Sequence, residues 1–359
     1  MKAENKKRLL SLDILRGITV AGMILVNNGY GESFEMLQHS KWNGMTPCDL
    51  VFPFFLFIMG VSTYLSLSKC QFQASAPVVR KVVRRTVLLF LIGLAINWFD
   101  HAIEGDWWCF GHLRIWAVLQ RIALCYGIVS VFALLVSHRW VVPAIFVLLV
   151  IYTIILLVGN GYAQDASNIL ARVDNRLFGA DHLYHKSPVD PEGLLGTISS
   201  VAHVLIGFYC GMRMKQADTV EKKVLQFLFL GAVLVIGGYL LSYGLPLNKR
   251  IWSPSYVMMT CGLAALLQGV LMVIIDLKGH QKWCTFFRVF GINPLFLYVT
   301  SEVLAIVLGH CGVSQMVFEG IHGVISHPQT ASLFYAVYFV MLNFILGFLL
   351  YRRRIYIKL

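Results

Sequence analysis

Charge is what this chain has least of. Only 13% of its 359 residues are charged, against 58% that are hydrophobic, and its mean hydropathy is +0.70. A soluble domain carries roughly 25% charged residues, so too little polar surface is present to clothe a soluble globule. The 8 cysteines show no Cys-x-x-Cys or Cys–His metal spacing. Cys48, Cys109 and Cys311 are candidates for a disulfide, but nothing in the sequence pairs them. No His-Glu-x-x-His, internal repeat or low-complexity stretch occurs either, which removes support for the inverted repeats of many transporters. These absences exclude a disordered chain, a secreted disulfide scaffold and an ordinary cytosolic enzyme.

Apolar runs are what the chain has in abundance. About 20 apolar residues cross a bilayer, and ten such stretches are expected, at 10–28, 50–68, 86–99, 115–136, 140–158, 194–212, 224–245, 256–275, 289–309 and 331–351. The stretch at 86–99 is short and has to borrow length from its flanks. The reading is therefore an all-α, polytopic membrane bundle of about ten helices, one domain over 1–359, with both termini cytoplasmic. The first apolar stretch carries Asp13 and Arg16 and runs too long for a cleavable signal peptide.

The net charge of +12 could suggest nucleic acid, but its distribution argues otherwise. On this topology 21 of the 30 basic residues fall in cytoplasmic segments, including Lys2, Lys6, Lys7, Arg8 and Lys358, and seven in outer loops. That asymmetry is the positive-inside rule, and no nucleic-acid partner is needed to explain it; membrane lipids are the expected surroundings. Twelve of 18 acids and eight of 11 histidines lie on the other side.

Polar chemistry thus concentrates in the outer segments 29–49, 100–114, 159–193, 244–256 and 310–330. The first contains His39, Trp42, Asn43 and Asp49, just after Asn27. A histidine can accept and return a proton near neutral pH, and a neighbouring carboxylate can orient it. An interfacial loop with an incidental histidine fits the spacing about as well. Asp181, His182 and Glu192, with Asn248, Trp252 and Ser253, offer acids, amides and indoles suited to a cationic, hydroxyl-rich ligand such as an amino sugar. Their spacing does not make a zinc site.

Ionisable residues inside spans are costly and so draw attention. Asp13 and Arg16 share a helical face and read most simply as an internal pair. Gln120-Arg121 has no close sequence partner, and a guanidinium there suits phosphate or carboxylate. His203 and Glu302 can equally be packed polar groups. Gly207-x-x-x-Gly211 reads as a close-packing motif.

Read together and in order, these stretches resemble the heparan-α-glucosaminide N-acetyltransferase family, and more closely its shorter bacterial members. The matching segments are Ser11 to Gly17, Val26-Asn27, His39 to Gly44, Asp49 to Pro53, Phe57 to Gly60, Leu119 to Arg121, Asp181 to Tyr184, Asp190 to Thr197, Trp252-Ser253 and Ser255 to Val257. The large lumenal N-terminal extension of the lysosomal enzyme has no counterpart in these residues. The resemblance implies acetyl transfer from cytosolic acetyl-CoA to a glucosamine amine across the membrane, without a metal. It implies that His39 is the catalytic histidine, with Asn27 beside it in the active site and Asp49 as the orienting carboxylate. Asn43, Trp42, Asp181, His182, Glu192, Asn248, Trp252 and Ser253 are then acceptor-side candidates. Arg16, Arg84, Arg85, Arg121 and Gln120 are candidates for the CoA donor. A bacterial inner membrane is the implied location, and a homodimer is compatible with the resemblance.

Two mechanisms stay open: an acetyl-histidine relay, and direct transfer in a ternary complex with His39 as base. The second is favoured, because a thioester is already activated. A transporter or non-catalytic scaffold is the rival reading. It would explain Asp13, Arg16, Arg121 and Glu302 as a substrate path, but it does not require the His39–Asp49 cluster.

Overall fold

Residues 9–185 and 187–357 are described in the computed structural model. Lys2, Lys6, Lys7, Arg8, Lys186 and Lys358, all part of the charge tally, lie outside the described residues. Among the described residues the chain forms thirteen α-helices and no strand. They are α1 (Leu10–Asn27), α2 (Val51–Leu67), α3 (Ala76–Ile103), α4 (Val118–Leu135), α5 (Val141–Val158), α6 (Ile169–Phe178) and α7 (Gly196–Gln216). They continue with α8 (Val220–Ser242), α9 (Pro254–Leu271), α10 (Cys284–Ile292), α11 (Pro294–His310), α12 (Val313–Val324) and α13 (Pro328–Arg352).

Eight of these helices (α1 to α5, α8, α9 and α13) are long and apolar enough to cross a membrane. The remaining two expected spans depart from a simple apolar rod. The stretch at 289–309 is not one straight helix: α10 and α11 meet at an angle of 85°. The break falls at Asn293-Pro294, where proline lacks the N–H and disfavours helical backbone in the residue before it. The stretch at 194–212 lies on α7, which is 21 residues long, or about 31 Å, yet too polar to pass as a lipid-facing span. Fifteen of its 21 residues are buried, and it packs on α2, α4, α5, α8 and α9. Protein rather than lipid surrounds it, so Ser199, Ser200 and His203 are tolerated there. His203 Nε2 bonds the Pro53 carbonyl at 2.9 Å.

Helix exposure follows the same logic. About 61% of α1 and 67% of the α2 span are buried inside the bundle, against 17% of α3 and of α5. The peripheral helices therefore present apolar side chains outward, as a lipid solvent demands. Central crossings are close because they are built on glycine. A Cβ on Gly60 of α2 would lie 2.1 Å from the Val204 carbonyl oxygen, and one on Gly207 of α7 would lie 2.1 Å from that of Phe57. The Gly207-x-x-x-Gly211 motif is this α2–α7 contact.

The short helices α6 and α12 occupy the segments at 159–193 and 310–330, where loops were expected. At one end of the bundle each end of the described chain is tied to an internal segment: Leu10 N donates to Asp276 at 3.2 Å, and Asn293 Nδ2 to the Ile355 carbonyl at 2.9 Å. At the other end the polar segments are stitched together, Gly44 N to Leu247 O at 2.8 Å and Ile115 N to His182 O at 3.0 Å. That stitched end carries the site.

Candidate active site

Asp49 is set by local sequence. Thr46-Pro47-Cys48-Asp49 forms a capping box with proline in the first turn, immediately before α2. Asp49 Oδ2 accepts from Thr46 N and Ser40 N, both at 3.1 Å. Its other oxygen, Oδ1, lies 2.8 Å from His39 Nδ1. The carboxylate is fully buried, whereas 48% of the His39 side chain is exposed. With Nδ1 turned to Asp49, the proton belongs on Nδ1, and Nε2 is the nitrogen left with a free lone pair. The Tyr256 hydroxyl donates to the Asp49 carbonyl at 2.5 Å and ties the cap to α9.

A third charged group completes the cluster. Lys249 Nζ lies 3.4 Å from Asp49 Oδ1 and 3.0 Å from His39 Nδ1, with only 13% of its side chain exposed. Its loop is rigidly built. Asn248 N donates to Ser253 Oγ at 3.0 Å, Ser253 N returns a bond to Asn248 O at 3.0 Å, and Asn248 Oδ1 accepts from Ile251 N at 3.2 Å. Trp252 sits in the left-handed region, at φ 52°, a costly conformation for a bulky side chain. Its indole is buried against Phe52, His203 and Tyr256, which holds the turn in place.

Two cavities share His39 in their lining, and a third borders the second of them. The outermost, about 150 Å³, is lined by His39, Asp49, Tyr184, Glu192, Lys249 and Arg250. A neck of about 80 Å³ shares His39, Glu192 and Lys249 with it and adds Asn27, Cys48 and Tyr298. The innermost, about 200 Å³, shares Asn27, Val118 and Tyr298 with the neck and adds Asn97, Arg114, Gln120 and Glu302. Asn27 Nδ2 approaches Glu302 Oε1 at 3.5 Å. Both amide atoms of the fully buried Gln120 lack a hydrogen-bond partner, so this cavity has unspent polar capacity.

The far wall is an acid pair held by one arginine. Arg114 reaches Asp190 at 3.0 Å and Glu192 at 2.9 Å and stacks over the Tyr184 ring at 4.7 Å. Burial pushes the Asp190 carboxyl above its ordinary range, with Arg114 pulling it back. Behind the pair, burial raises the Asp174 carboxyl of α6 to about 6, although Leu194 N donates to it at 3.0 Å.

Of the residues singled out in the sequence, His39, Asn27, Asp49, Glu192, Gln120 and Glu302 line these adjoining cavities. Others serve the frame. Trp42 is buried and donates to Tyr162 O at 2.9 Å. Asn248, Trp252 and Ser253 are buried in the Lys249 turn, with Ser253 also capping α9. Asn43 is exposed and bonds Asn248 at 3.1 Å. Asp181 is exposed, and His182 bonds the Leu113 carbonyl at 2.8 Å.

The donor candidates are dispersed. Arg16 pairs with Asp13 at 3.3 Å and donates to Ser62 at 2.7 Å, as an internal pair would. Arg84 is exposed, and Arg85 lies over the Tyr126 ring at 4.5 Å. Arg121 lines none of the three cavities. Its guanidinium donates to Gly193 O at 2.8 Å and lies 5.3 Å from the centre of the Trp252 ring. Arg121 is buried between α4 and the 190–193 turn, with its Nε and Nη1 lacking a hydrogen-bond partner.

Lys249 and Arg114 had no assigned role in the sequence. Lys249 stands 210 positions from His39, and a lysine in an outer loop carries no local mark of such a partner.

An all-helical membrane bundle, with a histidine–carboxylate–lysine cluster at the mouth of an internal cavity, defines a polytopic membrane protein with the makings of a proton-transfer site. Its lineage is explicit. The family model for heparan-alpha-glucosaminide N-acetyltransferase, catalytic, matches residues 8–171. The human heparan-alpha-glucosaminide N-acetyltransferase is 30% identical, over 82% of this chain and 53% of its own length. The mouse protein of the same name is 28% identical, over 84% of this chain and 54% of its own. The chain is similar to the heparan-alpha-glucosaminide N-acetyltransferases over most of its own length. It spans about half the length of these relatives.

Proposed function

We propose that the chain is a transmembrane N-acetyltransferase. It moves acetyl from acetyl-CoA in the cytosol to the amine of a glucosamine-type sugar at the outer face of a bacterial inner membrane. The single observation that carries the reading is His39 on the lining shared by two of the cavities, its Nδ1 held by buried Asp49 and its Nε2 left as the acceptor, with Lys249 Nζ 3.4 Å from it. The acceptor enters from the outermost cavity, where Glu192 attracts an ammonium and Tyr184 offers a sugar-stacking ring. The donor thioester reaches the neck from the opposite side, past Gln120 and Asn97, whose amides suit the amides of a pantetheine arm. Exposed Arg84 and half-buried Arg85 lie toward the end of α3 that would face the cytosol and the CoA phosphates.

In this arrangement His39 takes a proton from the sugar ammonium, and the amine attacks the thioester carbonyl. A C–N bond forms, the C–S bond breaks, and the proton the nitrogen loses on becoming an amide passes to the departing thiolate. Asn27 Nδ2, in the neck, is placed to donate to the carbonyl oxygen as charge develops on it. Asp49 fixes the imidazole, and Lys249 holds Asp49. Direct transfer needs no covalent acetyl-enzyme, and the connected cavities can bring both substrates to one point.

The test is thiol release coupled to N-acetyl product formation by detergent-purified protein, with acetyl-CoA and a panel of amino sugars. Transfer by the wild type and none by His39→Ala is expected. Amino-sugar binding with no transfer to any member would overturn the reading in favour of a transporter or scaffold.

A further inference from the structure

We propose that His101, Asp106 and His112 form a binding site for one divalent transition-metal ion of the zinc class. The ligand atoms of the three residues all lie within 4.8 Å of one another. His112 Nε2 and Asp106 Oδ2 are already 2.8 Å apart, and the His101 and His112 rings stand nearly perpendicular with centroids 5.1 Å apart. Ligands at about 2.0–2.2 Å from a tetrahedral zinc are separated by little more than 3 Å. Closure therefore needs only side-chain rotation, and His112 and Asp106 are about half exposed and able to rotate.

Backbone geometry sets up the approach. His101 lies in the last turn of α3. The chain then reverses through Gly105, at φ 96°, and Asp106 N returns to the His101 carbonyl at 3.2 Å. A short helical turn at Cys109–Gly111 brings His112 back over His101. The spacing is His-x4-Asp-x5-His, which matches no familiar zinc pattern and is invisible until the chain folds back. Two imidazoles and one carboxylate favour zinc, nickel or cobalt over calcium and magnesium, which prefer all-oxygen shells. A tetrahedral ion would keep one position for water.

The ion would act on the loop rather than in the transfer reaction. Arg114 follows His112 by two residues, and its carbonyl accepts from Asn97 at 2.7 Å. A metal joining the end of α3 to this loop would brace the arginine that holds Asp190 and Glu192. The inference stands independently of the acetyl-transfer reading.

The experiment is equilibrium dialysis of chelator-treated, detergent-purified full chain against zinc, with thermal unfolding measured alongside. One zinc per chain and a raised Tm are expected. The double variant His101→Gln/His112→Gln and the single variant Asp106→Asn should lose both effects while unfolding like the metal-free wild type. His310→Gln, an exposed histidine outside the cluster, should keep them. Failure of the wild type to bind zinc overturns the proposal. So does zinc binding that survives the double variant, which would point to exposed thiols such as Cys70 or Cys311. Cobalt substitution supplies a second readout: visible absorption typical of tetrahedral cobalt is expected in the wild type and absent from the double variant.

Discussion

Asp49 is wholly buried and His39 half exposed, yet the two side chains meet at 2.8 Å, with the carboxylate behind the imidazole Nδ1. That polarity, a hidden orienter behind a reachable base, makes separate demands of the two residues. His39→Ala should lower transfer by at least about 100-fold, the lower end of what a positioned general base contributes, and should leave Tm within a degree or two. Asp49→Asn should cost activity and also stability, about 1–3 kcal/mol, because the retained oxygen can serve Thr46 N and Ser40 N while a buried NH2 donor is set against His39 Nδ1 and Lys249 Nζ. Turnover and thermal unfolding on the same preparations separate the effects. Equal loss of Tm in both variants would contradict this division of labour.

Lys249 should behave as a positioning residue. Lys249→Met leaves the buried Asp49 carboxylate without its cation, so Tm should fall by an amount equivalent to about 1–3 kcal/mol. Turnover should fall while the acceptor KM stays within a few-fold. Lys249→Arg keeps the charge but not the compact ammonium, and should restore stability better than rate. A wild-type rate for Lys249→Met would separate this lysine from the cluster's function.

Asp174 predicts a pH dependence of stability. Its folded-state pKa, about 6, lies above the ordinary aspartate value because burial disfavours the anion. The protonated form is therefore the one the fold prefers. That contribution is fully present below the unfolded pKa near 4 and is lost as pH rises through about 6. It amounts to no more than about 3 kcal/mol. Asp174→Asn keeps an oxygen for Leu194 N and removes the titration, so the variant should gain on the wild type between pH 5 and pH 8, read as Tm at both values. A constant difference across that range would mean that Asp174 does not titrate there.

Gly60 should tolerate no side chain. A Cβ there would lie 2.1 Å from a backbone carbonyl of α7, which no rotamer change can relieve. Gly60→Ala should destabilise by about 1–3 kcal/mol or more, and yield of folded protein in detergent is the simplest measure. Gly111→Ala, where nothing lies within 4 Å of the added carbon, is the matched control.

Orientation in the membrane is open to direct labelling. Single cysteines at Ser40 and Ser187 should react with an impermeant thiol reagent on intact cells lacking native Cys48, Cys109 and Cys311. One at Gln216 should react only after permeabilisation. The reason is the split of basic residues between the two sides, 21 against seven. Reversed labelling would exchange the donor and acceptor faces.

The sequence by itself determined the class of fold, because hydropathy over about 20 residues is a local quantity and a bilayer imposes that length. The same locality made the Gly207-x-x-x-Gly211 contact legible, and it drew attention to His39 ten positions before Asp49. Two kinds of feature kept their partners out of local view. Arg121 looked like an unpartnered charge because its partners, the Gly193 carbonyl and the Trp252 ring, lie 72 and 131 positions away. Asn248, Trp252 and Ser253 read in the sequence as polar and aromatic groups on a loop; in the structure the Asn248 and Ser253 bonds shape the turn, while the buried Trp252 indole N–H keeps no partner. What only the tertiary structure decided is the company each group keeps. Lys249 against Asp49, Asn27 across the neck from His39, Arg114 between two acids, and His101 beneath His112 depend on the return path of the chain. Pairings between distant segments leave no periodicity in the sequence, since a hydrogen bond or ion pair constrains position in space and not separation along the chain.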